Sequence, residues 1–221
     1  MRRSVAALAA VLLLSALAGC GDDSNDADSP TSVSSSQPTT EPAQVEYEQL
    51  TEKQLRDALV TIADMPPGYA ADPVDDDPGS ASYCGAKPDR APTRANQDFT
   101  KGGGFTMQLA TVGLSQYPSA EVATTNFERL REGLRTCAGE TIDGDEVTYT
   151  VMSTPQTNYP TLGIRATADS FTAMVYAAQV GSTMVTAGTA GLTNSDADLA
   201  VDLLVKQIRS YEEAARAETA G

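Results

Sequence analysis

The sequence can build a hydrophobic core only from about Leu50 onward, and this limit constrains the fold more than any other feature. Between Gly21 and Gln49 the chain carries seven acidic residues, no basic residue and almost no large aliphatic residue. Such a segment buries too little apolar surface to offset the entropy lost on ordering. We therefore predict a disordered acidic linker over residues 20–49, a folded domain over residues 50–213, and a frayed tail over residues 214–221.

The N-terminus has the pattern of an export signal. Two arginines precede an apolar run at residues 5–17, which is shorter than the roughly 20 apolar residues that a transmembrane helix needs. The run ends in Leu-Ala-Gly-Cys at residues 17–20, which resembles the lipobox of bacterial lipoproteins. This resemblance implies that residues 1–19 are a signal peptide and that Cys20 is the acylated first residue of the mature protein. We expect Cys20 to anchor the protein on the extracytoplasmic face of the cell membrane.

The composition excludes several functions. The 221 residues include no histidine, which excludes Ser-His-Asp and Cys-His catalysis and imidazole-ligated zinc. The net charge of −15 argues against a nucleic-acid partner, because phosphates are anionic. Asp72 and the acidic run 75–77 lack the residue spacing of a calcium-binding loop. We predict no catalytic residue, no metal site and no cofactor.

Amphipathic spacing predicts three helices. The first follows a capping box at Thr51–Gln54 and ends near Asp64, before two prolines. The second begins after Ser119, and the third begins after Asp196 and ends near Glu212. The apolar stripe of the second helix, with intervals of three and four residues, consists of Ala123, Phe127, Leu130, Leu134 and Cys137.

Alternation of apolar and polar residues predicts about five to six strands. A hairpin spans residues 95–114, with its turn at Lys101–Gly104 and its second strand starting at Phe105. Four more strands are predicted near residues 147–151, 162–166, 171–180 and 184–187. The last three of these form an antiparallel meander. Together the elements predict an α+β domain in which three helices pack on a central antiparallel sheet.

The strand predicted at residues 171–180 is apolar on both sides. Helices on both faces of the sheet explain this most simply. The alternative places helices on one face and a ligand-accepting cleft on the other. For that cleft we assign Met174 and Tyr176 as ligand-binding residues, with Arg165 as the base that would meet an anion. An outward-facing Arg165 on the protein surface is the simpler interpretation of that residue.

Two cysteines, Cys84 and Cys137, lie within the predicted domain. Exported proteins occupy a compartment that permits disulfides, and this pair would close a loop of 53 residues. The bond would join the irregular segment before the hairpin to the second helix. Two free thiols or a redox pair are the alternatives, and we predict a structural disulfide.

The order of these features resembles the PknH-type sensor family, the extracellular sensor-like domains of actinobacterial lipoproteins and of certain mycobacterial receptor Ser/Thr kinases. The matching pieces are the first helix running into the segment 64–69, the loop cysteine Cys84, and the second helix ending in Cys137-Ala138-Gly139. With the closing strands and helix, the resemblance covers residues 50–211. It implies an α+β domain with a central antiparallel sheet and a cleft for an unidentified extracytoplasmic ligand, and it supplies no catalytic residue.

The sequence therefore predicts a non-enzymatic, membrane-anchored lipoprotein whose sensor-like domain binds a small ligand or an envelope component. We expect it to be monomeric. Two other functions stay open: a lipid or glycolipid carrier of the envelope, and a cell-wall hydrolase. A cavity of about 1,000 Å³ or more would favour the carrier, a shallow cleft the sensor, and an acid pair about 5 to 10 Å apart across a groove the hydrolase.

Overall fold

The computed structural model describes residues 47–74, 83–142, 144–192 and 195–217. The predicted signal peptide, Cys20, most of the predicted linker and the last residues of the predicted tail lie outside these ranges. Within them, no helix combines the length and the apolar composition that crossing a membrane requires.

The described residues form three helices and one eight-stranded sheet. The helices are α1 (Glu52–Asp57), α2 (Ala120–Thr136) and α3 (Ala197–Ala217). The strands are β1 (Tyr69–Ala71), β2 (Thr93–Lys101), β3 (Gln108–Gln116), β4 (Gly139–Ile142), β5 (Asp145–Met152), β6 (Thr161–Ala168), β7 (Phe171–Val180) and β8 (Thr183–Gly191). The strand order is β1-β2-β3-β8-β7-β6-β5-β4, and all neighbours are antiparallel. The predicted α+β class is confirmed, and β6 to β8 form the predicted meander.

The predicted number of strands, about five to six, is too small. The additional strands are β1 and β4, which have three and four residues and pair only with β2 and β5. Segments this short show too few alternating positions for a period of two to be recognised. Both are the edge strands of the sheet, so the sequence pattern identified the six interior strands and missed the two edge strands.

The turn between β2 and β3 is longer than predicted. Gly102 and Gly104 have φ values of 75° and 55°, and residues Gly104–Thr106 form one turn of 3₁₀ helix. Strand β3 therefore begins at Gln108, and Phe105 lies in the turn with 90 % of its surface exposed. The prediction that Phe105 starts the strand is wrong. The side chains that β3 buries are Ala110, Val112, Leu114 and Gln116.

Helix α1 ends at Asp57, seven residues before the predicted end at Asp64. Beyond its end, a side chain of α3 forms hydrogen bonds with the backbone groups that a longer helix would have paired internally. The buried Gln207 amide accepts from the Val60 N–H at 2.9 Å and donates to the Ala58 carbonyl at 2.8 Å. These two bonds satisfy the chain where it leaves the helix, and a separate 3₁₀ turn follows at Ile62–Asp64. The capping box at the start of α1 is confirmed.

Helix α3 runs to Ala217, past its predicted end near Glu212. The extension is supported by fully buried Tyr211 and Ala215, and by an ion pair between Arg216 and Glu212 with an N–O distance of 3.0 Å. An alanine- and glutamate-rich sequence predicts fraying only when it has nothing to pack against. Here one side of the last turns remains in the core.

Helices cover both faces of the sheet, as the simplest interpretation of β7 expects. Helix α3 lies on β8 and β7, and α1 lies on β2, so we call their side the packed face. Its largest fully buried side chains include Leu55, Phe99, Leu114, Leu203, Leu204 and Tyr211. Helix α2 lies on the opposite side, the α2 face, with contacts to β5, β7 and β8. Its stripe from Ala123 to Leu134 packs on Leu162, Ile164, Ala177 and Met184.

The segment before α1 is fixed to one end of the sheet. The buried Gln116 side chain accepts from the Leu50 N–H at 3.0 Å and donates to the Leu50 carbonyl at 2.8 Å. The Gln49 amide donates to the Tyr117 carbonyl and to the Ser182 hydroxyl in the β7–β8 turn. The chain therefore enters the domain beside the end of β3 and the start of β8.

Candidate functional site

Helix α2 covers only part of its face, and a cleft of about 460 Å³ remains between α2 and the sheet. The cleft lies over β2, β3 and β8 at one end and over β7 and β6 at the other. These strands alternate their side chains between the two faces, so one set of positions builds the packed core while the neighbouring set lines the cleft. The site is thus a direct product of strand geometry.

One half of the cleft has a polar floor, which we define by six half-buried residues on three adjacent strands: Arg94, Asn96, Asp98, Thr111, Ser115 and Thr186. Gly113 lies at the centre of this floor, paired with Asn96 on one side and Thr186 on the other. A Cβ atom at Gly113 would stand 2.7 Å from the Thr186 Oγ1 atom. Glycine there keeps the floor concave.

The other half of the cleft has an apolar wall. Leu130 and Leu134 descend from α2, and β6, β7 and β8 supply the facing side chains. The wall consists of Leu130, Leu134, Ile164, Val175, Ala177 and Met184. Met184 and Thr186 are two residues apart on the same side of β8, so the polar floor and the apolar wall meet on that strand.

Residues 83–91, which we call the rim, close one side of the cleft and are joined to α2 by a disulfide. Cys84 bonds to Cys137 with a Cα–Cα distance of 5.9 Å, which confirms the predicted pair. Cys84 and Gly85 both have positive φ values, 55° and 72°, and the Tyr83–Ala86 hydrogen bonds close a tight turn around them. The bond therefore holds a turn whose backbone conformation is unusual for cysteine.

Hydrogen bonds hold the far end of the rim on α2. The Asp89 N–H donates to the buried Asn126 Oδ1 atom at 2.6 Å, and the Asp89 carboxylate pairs with Arg129 at 2.9 Å. From the sheet side, the Tyr117 hydroxyl donates to the Asp89 carbonyl at 3.2 Å. Burial, and after it the Asp89 charge, raise the pKa of the Tyr117 phenol. The rim is therefore fixed at both ends.

A carboxylate on β4 holds the disulfide turn from below. The Glu140 Oε1 atom accepts from the Tyr149 hydroxyl at 2.7 Å and from the Cys84 N–H at 2.9 Å. These two bonds, the first being the stronger influence, hold the pKa of Glu140 below its usual value. Burial and the same bond raise the pKa of Tyr149, whose ring meets Tyr83 edge to face at 5.6 Å between centroids. The edge strand β4 thus supports the rim.

The three residues predicted to bind a ligand lie away from this cleft. Tyr176 and Met174 are buried on the packed face, where Tyr176 belongs to the core beneath α3. Arg165, which pairs with Met174, is exposed, in agreement with the simpler interpretation of that residue. On β7 the cleft is lined instead by Val175 and Ala177. Both sides of β7 are apolar, so the sequence pattern could not tell which side lines the cleft, and the residues it named face the other side.

The polar floor was not predicted from the sequence. Its signal is the run Arg94, Asn96 and Asp98, which alternates with Ala95 and Phe99 on β2. Polar alternation usually marks a solvent-facing side of a strand. Here the overhang of α2 and the rim convert that side into a cleft.

Among the described residues, no three acidic or cysteine side chains lie close enough together to hold a metal ion.

Sequence comparison finds no matching protein family and no matching curated protein. The fold is similar to the crystal structure of the extracellular domain of PknH from Mycobacterium tuberculosis, with a TM-score of 0.59, 13 % identity, and coverage of 76 % of this chain and 100 % of that one. It also matches an uncharacterised Mycobacterium smegmatis protein, an Rv0999 ortholog, with a TM-score of 0.43, 13 % identity, and coverage of 73 % and 96 %. The first comparison shows that this chain has the fold of the PknH extracellular domain.

Proposed function

We propose that the protein is a lipid-anchored extracytoplasmic lipoprotein whose folded domain binds a small ligand in the cleft beneath α2, without catalysing a reaction. The observation that carries the proposal is the cleft itself, which combines an apolar wall with a small polar floor. This combination is typical of ligand sites, where apolar groups supply affinity and a few polar groups fix orientation. The likeness to an extracellular domain supports the extracytoplasmic location.

The size of the cleft favours a small ligand over a carried lipid. Its volume of about 460 Å³ lies within the range of about 300 to 1,000 Å³ that is usual for small-molecule sites. A carrier would need a cavity at or above the upper end of that range. The sensor-like function is therefore supported better than the carrier function.

The cleft is also formed in advance of binding. Its floor lies on three interior strands of an eight-stranded sheet, and its rim is held by the disulfide at Cys84 and by the contacts of Asp89. A site with fixed walls loses little conformational entropy when a ligand enters. We expect ligand binding to leave the backbone of the domain almost unchanged.

The proposal is tested by mass spectrometry of small molecules that co-purify with the protein in lipid nanodiscs. The variant Ser115→Phe places a ring in the cleft, and Thr150→Phe makes the same kind of change at an exposed position of β5. We expect a bound molecule with the parent protein and with Thr150→Phe, and at least about tenfold less with Ser115→Phe. Absence of any bound molecule, or equal amounts on all three proteins, would contradict the proposal.

The anchor is tested separately, because it lies outside the described residues. Cys20→Ala removes the acyl acceptor while leaving the export signal in place. We expect this variant in the soluble extracytoplasmic fraction and the parent protein in the membrane fraction. Equal membrane retention of both proteins would contradict lipid anchoring.

A further inference from the structure

We propose that the ligand of this cleft is a single-chain amphiphile with a hydroxyl-rich head, such as a sugar or polyol, and a short apolar chain. This inference depends on the proposed function, since it names the chemical class of the molecule that the cleft accepts. The head would lie on the polar floor, and the chain would lie against the apolar wall beneath α2.

The polar floor offers hydrogen-bonding groups that the described part of the chain does not use. Among the described residues, no hydrogen bond or ion pair involves the side chains of Asn96, Asp98, Thr111 or Ser115. They are half-buried, and none of their side-chain atoms belongs to the fully buried, unpartnered class. These groups are therefore within reach of a molecule in the cleft.

The hydrogen-bonding groups of the floor are suited to bind the hydroxyl groups of a ligand. An ionised aspartate only accepts hydrogen bonds, an amide both donates and accepts, and a serine or threonine hydroxyl does both. A ligand hydroxyl can serve each of them, because it also donates and accepts. The charged groups of the lining balance, since Asp89 and Asp98 stand beside Arg90 and Arg94, so the lining does not call for an anionic head, and the net charge of −15 of the whole chain opposes the approach of an anion. A hydroxyl-rich head satisfies Asp98 and Asn96 together.

The apolar wall requires a second part in the same ligand. A sugar alone would leave half-buried Val175, and the small exposed parts of Leu134 and Met184, in contact with water, whereas a chain that covers them gains the hydrophobic contribution of its own buried area. Floor and wall meet on β8, and neighbouring strands lie about 4.8 Å apart. The head therefore covers β2, β3 and β8, and the chain continues over β7 and β6.

The volume limits the chain. About 460 Å³ suits one ring and a short chain, and two long acyl chains would need a cavity near the upper end of the usual range of about 1,000 Å³. A molecule with a longer chain would extend out of the cleft. We therefore expect affinity to rise with chain length and then level off.

The test compares four probes by NMR titration of the oxidised mature chain carrying Cys20→Ala: hexyl β-D-glucoside, 1-hexanol, glucose and hexyl phosphate. The shifts of the Leu130, Leu134, Ile164 and Val175 methyl groups report occupation of the cleft. We expect hexyl glucoside to bind at least about tenfold more tightly than each of the other three probes.

A variant pair tests the role of the floor. Asp98→Ala removes an acceptor in the cleft, and Asp169→Ala makes the same change at an exposed position in the β6–β7 turn. We expect Asp98→Ala to weaken hexyl glucoside binding about tenfold and to leave hexanol binding unchanged, because a hydrogen bond to a charged group contributes about that factor. Asp169→Ala should affect neither.

The outcomes separate this inference from the proposed function. If hexanol or hexyl phosphate shifts the cleft methyl groups and binds as tightly as the glucoside, the head is misassigned, while ligand binding in the cleft stands. If Asp98→Ala binds the glucoside like the parent protein, the floor does not hold the head. If none of the four probes shifts a cleft methyl group, the amphiphile inference is wrong, and the co-purification experiment decides the proposed function on its own.

Discussion

The two faces of the sheet differ in how their helices meet them. On the packed face, α1 and α3 together bury a continuous core that includes Phe99, Leu204 and Tyr211. On the α2 face a single helix buries a smaller cluster around Phe127, and the remaining space is the cleft. Most of the buried core and the candidate site therefore occupy opposite sides of the same strands. Each face can therefore be altered with limited effect on the other.

Strand β3 shows how one segment serves both faces. Ala110, Val112 and Leu114 are buried on the packed face, with at most 1 % of their surface exposed. The residues between them, Thr111 and Gly113 among them, line the cleft. A shift of one residue in the pairing of β3 would exchange the two sets and destroy both the core and the floor.

Removing the disulfide should destabilise the protein more than any other change considered below, and it should loosen the α2 face before the packed face. The double variant Cys84→Ser/Cys137→Ser should lower the free energy of unfolding by about 4 kcal/mol, since it releases a loop of 53 residues. Urea unfolding measures this value. Amide exchange should accelerate more in the rim and α2 than in α3. If amide exchange accelerated equally in α2 and α3, the stability of the two faces would be coupled, and the comparison drawn here would be wrong.

A matched pair of leucines compares the packing directly. Leu204→Ala on the packed face should cost about 3 kcal/mol, because it leaves a closed cavity. Leu134→Ala should cost about 2 kcal/mol, because its side chain borders a cleft that already lacks neighbours on one side. Both are measured by urea unfolding. A larger loss for Leu134→Ala would contradict the assignment of the core to the packed face.

Gly133 tests how closely the rim approaches α2. Glycine to alanine in a helix usually stabilises, yet a Cβ atom at Gly133 would lie 2.2 Å from the Ala86 Cβ atom. We therefore expect Gly133→Ala to destabilise the protein by about 1 to 2 kcal/mol. Thermal unfolding of Gly133→Ala in an Ala86→Gly background should recover most of the loss. If it does not, the close contact is not the cause.

Glu140 should make a small, pH-dependent contribution to stability. Its folded-state pKa is lowered, so its contribution to stability is present above the unfolded pKa of about 4.3 and is lost as the pH falls through the folded value. Glu140→Gln should cost less than about 1 kcal/mol at pH 7, since the group is partly exposed. Urea unfolding between pH 7 and pH 3 should show a shallower acid loss for the variant. If the free energy of unfolding fell with pH equally in the parent and in the variant, Glu140 would not contribute to the acid sensitivity of the protein.

The sequence predicts the packed face better than the α2 face, for a physical reason. Apolar periodicity reports burial, and burial is nearly complete beneath α3, so the central strands and the helix stripes were correctly placed. The disulfide was predictable because the domain holds only two cysteines, Cys84 and Cys137. The position of the cleft and its polar floor were not predictable, because the floor residues Asn96 and Asp98 have the alternation of an ordinary solvent-facing strand. These residues line a cleft, and not an open surface, only because α2 lies above them.

The entry of the chain beside Gln116 has a geometric consequence for the exposed ring of Phe105. The nine residues of β3 separate these two points, a distance of about 30 Å at 3.4 Å per residue. Gln116 stands at the end where Leu50 joins the sheet, and the hairpin turn with Phe105 stands at the other. The most exposed aromatic side chain therefore lies at the end of the sheet opposite to the one where the chain enters the domain.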